Sequence, residues 1–374
     1  MTAVTIVPAE DLSGTDDIRD FLDACPGSFA QQTPAWRDVI NGIGEDTPAF
    51  LACHDRGALV GILPAYHFEG PFGAILVSCC QAGPLGGVAC LPGAETELVY
   101  QALLEAFVEL GRQRGCRLAT VICNPFQPDQ TICRRYLEPD YVLENVTQVL
   151  DLQEDLTESG ELSKATPALR RNLRKALAED LQIDDEQSRE NVEEWYVLHA
   201  RRHREIGATP LPKQLFAGAL DHLVPREKGR FFFVRLPDSG LMVAGGLYLF
   251  HDKVIDSLMP SFSKKYADLR SNHLLIYHSM KWARSRGLRY YNWQPSPPDG
   301  GVYRFKHSWG SRDIPYEYLT RVIGNIDRIL SATPAELNEA YRWHYVLPFD
   351  QLKNQHAPQT GVSLRKNAWE AQSS

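Results

Sequence analysis

The chain has 374 residues, more than the roughly 150 of one typical domain, so two domains with a short appendage are expected. A content of 44% hydrophobic, 10% aromatic and 23% charged residues excludes disordered, collagenous and coiled-coil classes. The 39 basic and 47 acidic side chains leave a net charge of −8, which excludes a general polyanion binder; DNA is not an expected partner, and any RNA contact has to be local.

No stretch approaches the ~18 consecutive apolar residues of a membrane span, so none is expected. The N-terminus carries Glu10, Asp11, Asp16 and Asp17 where a signal peptide needs an apolar core, which predicts a cytoplasmic protein. In the first half, apolar or alternating runs at 48–54, 58–68 and 74–80 predict an antiparallel meander, with Asp55, Arg56 and Gly57 as a tight turn. A glycine-rich loop at 81–87 leads to a helix at 95–114 whose Leu103, Leu104, Phe107, Val108 and Leu110 form one apolar stripe, and a strand follows at 117–123. The eight cysteines, from Cys25 to Cys133, form neither a CxxC pair nor a Cys/His zinc spacing, so buried free thiols are expected.

Between the halves, Thr166 and Pro167 mark a helix start, with Leu169, Leu173, Ala176 and Leu177 as its buried stripe and Arg170, Arg171, Arg174 and Lys175 on the other face. The second half repeats the order of the first: strands at 230–236, 241–250 and 253–259, a helix at 272–286 and a strand at 288–293. The matching helix ends, LGRQRGCRLATV and WARSRGLRYYNW, support one supersecondary unit occurring twice. His199, His203, His251, His278 and His307 lack a metal-ligand spacing with nearby carboxylates, so no metal is expected.

Three antiparallel strands, a helix and a further strand is the order used by the acyl-transferring GNAT superfamily. The segments PALRRNLRKALAED (167–180), RSNHLLIYHSMKWARSRGLRYYNWQ (270–294) and GVYRFKHSWGS (301–311), with the paired Gly245 and Gly246, resemble the FemAB-like family in type and order. The resemblance covers 160–320 by sequence and the first half by architecture. It implies an α/β (α+β) protein of two tandem GNAT-like domains with mixed, mostly antiparallel sheets. The domains are expected at 1–150 and 151–320, with a C-terminal extension, 321–374, packing back on the body. It implies an aminoacyltransferase that moves an activated amino acid onto an amine, with no permanently bound cofactor. Two alternatives stay open, an acyl-CoA-dependent N-acyltransferase and a non-catalytic binding protein of the same fold.

On that resemblance Lys306, set among Tyr303, Phe305, His307 and Trp309, is the candidate for the acyl-transfer site. A lysine fixed between aromatic rings directs a cation at charge developing on an acyl oxygen. The other reading is a strand lysine whose ammonium reaches solvent. Asn292, Trp293 and Gln294 stand at the strand edge where the resemblance places donor entry, with core packing as the alternative for Trp293. Arg270, Asn272 and His273 open a helix where free N–H groups favour phosphate, yet that run has no glycine for the close approach coenzyme A needs. Asp256 is a candidate to orient the acceptor amine or take its proton, or else a solvent-facing strand residue.

The donor expected is therefore aminoacyl-tRNA, with acyl-CoA as rival. Its phosphates would meet Arg170, Arg171, Arg174 and Lys175, and a second basic stretch from Lys264 to Arg289 that holds Asp268 as its one acid. Solvated helix faces are the other explanation of both patches. Peptidoglycan members of the family carry polar gripping groups where this chain has EIGATPLPKQLF, with Leu211 and Leu215 at those positions. The expected acceptor is accordingly a small amine-bearing molecule other than a muropeptide.

Overall fold

A computed structural model of the chain describes residues 2–8, 13–81, 85–91, 93, 95–127, 129–296, 298 and 300–348. Glu10, Asp11, residues 82–84 of the expected glycine-rich loop and 349–374 of the expected extension lie outside them. The chain divides into two compact units, Met1–Asn145 together with the described residues from Pro315, and Val146–Ile314.

The first unit opens with β1 (Thr2–Pro8), α1 (Ser13–Ala24) and α2 (Pro34–Ile43). The Thr33 hydroxyl accepts from Trp36 N at 3.3 Å with Pro34 at the first helical position, and this cap fixes where α2 starts. The meander β2 (Asp46–Asp55), β3 (Ala58–Gly70) and β4 (Gly73–Val77) is antiparallel throughout. Its first turn needs two left-handed residues, Arg56 at φ 49° and Gly57 at φ 83°, and so forms a tight two-residue connection. A short β5 (Ala89–Cys90) pairs with β3, and α3 (Thr96–Gln113) then crosses to β6 (Leu118–Ile122), which lies parallel to β4. All five predicted stripe residues of α3 are buried against Leu51, Leu63 and Leu76 of the sheet. Each such side chain contributes about 1.5–3 kcal/mol through burial. Next comes α4 (Gln130–Leu137).

The chain enters the second unit along β7 (Tyr141–Asp151), followed by α5 (Pro167–Ala178), β8 (Gln182–Asp184), α6 (Arg189–Glu205) and α7 (Lys213–Gly218). Then β9 (Gly229–Arg235), β10 (Met242–His251) and β11 (Val254–Ser257) form an antiparallel meander, with β12 (Ser261–Phe262) beside β10. The helix α8 (Ser271–Ser285) crosses to β13 (Tyr290–Pro295), which lies parallel to β11 and antiparallel to β7. Both units thus carry the duplicated order of meander, crossover helix and parallel strand. After α9 (Gly301–Ser308), β14 (Arg312–Val322) pairs antiparallel with β6, and α10 (Asp327–Ser331) and α11 (Pro334–Ala340) follow.

One local expectation is corrected, and two further segments gain a defined place. Leu177 is 54% exposed, because the buried face of α5 ends at Ala176. GVYRFKHS is a helix, with Val302, Phe305, Lys306 and Trp309 recurring at helical spacing, so the alternative strand reading of Lys306 is set aside. Leu211 and Leu215 are both buried in the core. The paired glycines are explained by packing: a Cβ on Gly245 would lie 2.6 Å from the Trp195 ring, and one on Gly246 would lie 3.0 Å from Pro260 Cα. Among the described residues, no helix is long and apolar enough to cross a membrane.

Candidate functional site

In the second unit the parallel ladder of β11 and β13 runs through Val254–Tyr290, Ile255–Tyr291 and Asp256–Asn292 and ends there. Beyond it β13 bulges between Asn292 and Pro295, with Gln294 in the left-handed region at φ 65°. A non-glycine residue in that conformation costs on the order of 1 kcal/mol or more, and the bulge that imposes it turns the Gln294 carbonyl toward α9. There it accepts from Lys306 Nζ at 2.7 Å, while the Pro295 carbonyl lies 3.4 Å from the same nitrogen. Lys306 is 6% exposed, and burial pushes its ammonium down to about 7. The solvent-reaching strand lysine is therefore excluded. Lys306 is a buried helix residue whose charge changes near neutral pH.

Around the base of α9 the rings of His273, Trp293, Phe305 and Trp309 form one cluster. Phe305 lies 5.5 Å from His273, 6.2 Å from Trp293 and 6.0 Å from Trp309, and Trp293 lies 5.6 Å from Trp309, centroid to centroid. Burial, and next to it the nearby Arg270, pull His273 down to about 4, so the ring is neutral at pH 7. The residues of this cluster and their chain neighbours carry several buried polar atoms without hydrogen-bond partners among the described residues. They are Nε1 of Trp293 and Trp309, Nδ1 of His273, Oδ1 of Asn272 and both side-chain atoms of Gln294. Interior polar atoms of proteins are normally paired, and a region with this many open ones is suited to taking up a polar group from outside.

Asp256 is 2% exposed, so its solvent-facing reading is corrected as well. Its carboxylate accepts from Asn292 Nδ2, and Asn292 Oδ1 accepts from the Thr147 hydroxyl. This buried chain links β11, β13 and β7 at the row where the parallel ladder ends. Tyr303 stands on the other side of α9: its hydroxyl donates to Asp313, its ring lies 4.6 Å from His307, and its carbonyl accepts from Gln148 at 3.2 Å. The geometry brings together Lys306, Phe305, Trp293 and His273, whereas Tyr303 and Asn292 are engaged elsewhere. Gln294 lies at the expected strand edge, but the bulge that aims its carbonyl at Lys306 was not legible; the signal was its place before Pro295, a position with a restricted backbone.

The two basic stretches differ. Arg270 sits at φ 57° and directs its guanidinium to Ala267 O at 2.8 Å and Asn172 Oδ1 at 3.3 Å. Arg284 donates to the carbonyls of Leu152 and Leu156, Arg286 pairs with Glu227 at 2.7 Å, and Arg289 pairs with Asp151 at 2.9 Å. The stretch from 264 to 289 is thus largely committed to holding its own unit together. On α5, Arg170 is tied to the carbonyls of Leu162 and Ser163, while Arg171, Arg174 and Lys175 are exposed and make no ion pair among the described residues.

The acetyltransferase (GNAT) domain family model matches residues 163–307, which include Lys306 and most of the second unit. The lipid II:glycine glycyltransferase of Staphylococcus haemolyticus is 30% identical over 108 residues, 27% of this chain and 24% of that protein. The chain therefore spans about a quarter of the length of that curated relative. Among solved structures, FemX is similar with a TM-score of 0.67 at 14% identity, over 82% of this chain and 96% of that one. A tandem GNAT protein from the clavulanic acid biosynthesis pathway gives 0.53 at 14% identity, over 86% and 99%. At these identities the two structures speak for the fold alone, and the fold is two GNAT-like domains in tandem. The chain is thus similar to a GNAT domain over residues 163–307 and, over 108 residues, to a Fem-type glycyltransferase.

Proposed function

We propose that the chain is an acyltransferase that joins an activated acyl or aminoacyl group to an amine, with Lys306 at the transfer site. The observation that carries this reading is the buried Lys306 ammonium held at the bulge of β13, beside a ring cluster rich in open polar atoms. In the reaction the acceptor nitrogen attacks the acyl carbon, the carbonyl electrons move to oxygen, and collapse of the intermediate expels the donor's alcohol or thiol, which takes up the proton lost by the amine. Protonated Lys306 stabilises the oxyanion, and positioning supplies most of the remainder, so no covalent enzyme nucleophile is needed. Trp293, Phe305 and His273 enclose the acyl group. Asp256 acts through Asn292 as a positioning residue that keeps the end of the ladder in place.

The donor we propose is aminoacyl-tRNA, gripped through phosphates by Arg171, Arg174 and Lys175, with Arg170 as a weaker contact. The GNAT acetyltransferase match favours a second reading, acyl-CoA. For the acceptor we propose an amine of a peptidoglycan precursor in place of the small non-muropeptide amine expected from sequence. The two leucines behind that expectation lie in the core, and the curated relative is named for transfer to lipid II. The test supplies amino acid, ATP, a synthetase, total tRNA and a muropeptide amine, with and without ribonuclease, beside a parallel reaction with acyl-CoA. Product that forms with tRNA and vanishes on RNA digestion supports the first donor. Product from acyl-CoA alone replaces it with the second.

A further inference from the structure

Away from the transfer site, three buried donor groups meet in the first unit. Cys123 directly follows β6, Asp129 directly precedes α4, and Cys133 lies in the first turns of that helix. Both Sγ atoms and a carboxylate oxygen lie within 4.8 Å of one another. The two thiols are fully buried and Asp129 is 3% exposed.

Asp129 does not do what its position predicts. An aspartate before a helix ordinarily accepts from the backbone N–H two or three residues on, but this one makes no capping hydrogen bond. Its Oδ2 accepts from the Tyr100 hydroxyl at 2.9 Å, and its Oδ1 is buried with no partner of ordinary hydrogen-bond geometry among the described residues. The nearest guanidinium on α4, that of Arg134, is held by both oxygens of Glu317 at 2.6 and 2.7 Å. The Cys133 thiol and the Asp129 N–H also interact with this carboxylate, and the two thiols with each other, so three metal-donor groups are packed together in the interior, where a buried carboxylate is costly without strong partners. The arrangement becomes favourable when a cation sits between the three groups.

We propose that Cys123, Asp129 and Cys133 form a zinc site that ties the end of β6 to the start of α4. Two thiolates select zinc over magnesium or calcium. Tetrahedral zinc with Zn–S of about 2.3 Å and Zn–O of about 2.0–2.2 Å places its donors about 3.5–3.8 Å apart, which is compatible with donor atoms that all lie within 4.8 Å of one another. Tyr100 is the outer-shell donor, fixing Oδ2 and leaving Oδ1 for the metal. On binding, the thiol protons go to solvent and nothing is oxidised. The C-x5-D-x3-C spacing matches no common zinc pattern, and for that reason counting Cys and His spacings passes over it. The other mixed cluster, Asp46, Cys80 and His344, is closed without a metal because His344 Nε2 and Asp46 Oδ1 bond each other at 2.7 Å, and it serves as a control.

The experiment uses the full chain, loaded with zinc under reducing conditions, desalted and analysed by elemental mass spectrometry. Its readout is independent of acyl transfer. One zinc per chain is expected, together with thiolate-to-metal charge-transfer absorption after exchange to cobalt. Cys123→Ser with Cys133→Ser loses both signals, Asp129→Asn weakens zinc binding at least tenfold, and Cys80→Ser retains both. Circular dichroism establishes that each variant is folded; if the double variant does not fold, Asp129→Asn decides. Folded wild-type protein without zinc, zinc held equally well by Asp129→Asn, or zinc lost in Cys80→Ser overturns the proposal.

Discussion

Replacing Lys306 by Met keeps the length of the side chain and removes its charge, and the structure sets the consequence for stability. Burial lowers the lysine from its ordinary 10.5 to about 7, and at about 1.4 kcal/mol for each pH unit the full effect approaches 5 kcal/mol. In the unfolded chain the ammonium persists up to its ordinary value, whereas in the native state it is lost above about 7. Between these limits the unfolded state binds more protons, so lowering the pH from 10 to 7 destabilises the wild type and not the variant. Below about 7 both states are charged and the difference levels off. Urea unfolding of both proteins at intervals from pH 6 to 10 measures it, because all other titrating groups cancel in the comparison. The stability of the wild type minus that of Lys306→Met is expected to fall by several kcal/mol from pH 10 to 7. A difference that stays constant across that window would refute a lysine buried as described.

The same variant is expected to lose about 2–4 kcal/mol of transition-state stabilisation, a rate drop of roughly 30- to 1000-fold in single-turnover assays, with unchanged circular dichroism. Gln294→Ala removes a buried amide that has no partner within the described residues; melting temperature is expected to change little while KM rises, and a changed melting temperature with unchanged KM would contradict its role. Asn292→Leu removes the hydrogen bonds that link Asn292 to the Asp256 carboxylate and the Thr147 hydroxyl, so chemical denaturation is expected to report a loss of about 1–3 kcal/mol. Changing Arg171, Arg174 and Lys175 together to Ala leaves stability within about 0.5 kcal/mol, while the slope of log rate against log salt falls by about 2 to 3 in the tRNA-dependent reaction.

The parts of the fold readable in the sequence were those where one local rule governs. The stripe of α3, the Thr166–Pro167 start of α5 and the turn at Arg56–Gly57 follow directly from helical period, capping and left-handed propensity. The site was legible as a set of residue types on α9 and β13, but its geometry was not. That GVYRFKHS is a helix, whose Phe305 and Trp309 pack onto Trp293, was not read from the sequence. Asp256 looks like a surface interruption in KVIDSLM because its partner Asn292 lies 36 residues downstream and is itself held by Thr147 on β7. The basic run from 264 to 289 reads as a phosphate-binding face, yet its arginines end on carbonyls and carboxylates that spacing along the chain does not reveal. Long-range partners decide each of these cases, and a single sequence encodes them only through tertiary packing.

The most direct test of the account is amide formation itself, followed by mass spectrometry of a muropeptide amine incubated with the purified chain, amino acid, ATP, a synthetase and total tRNA, in parallel with acyl-CoA as donor. The account predicts one new amide on the acceptor with the wild type, and at least thirtyfold less with folded Lys306→Met. Absence of product from both donors, or equal product from the wild type and the variant, would contradict acyl transfer at Lys306.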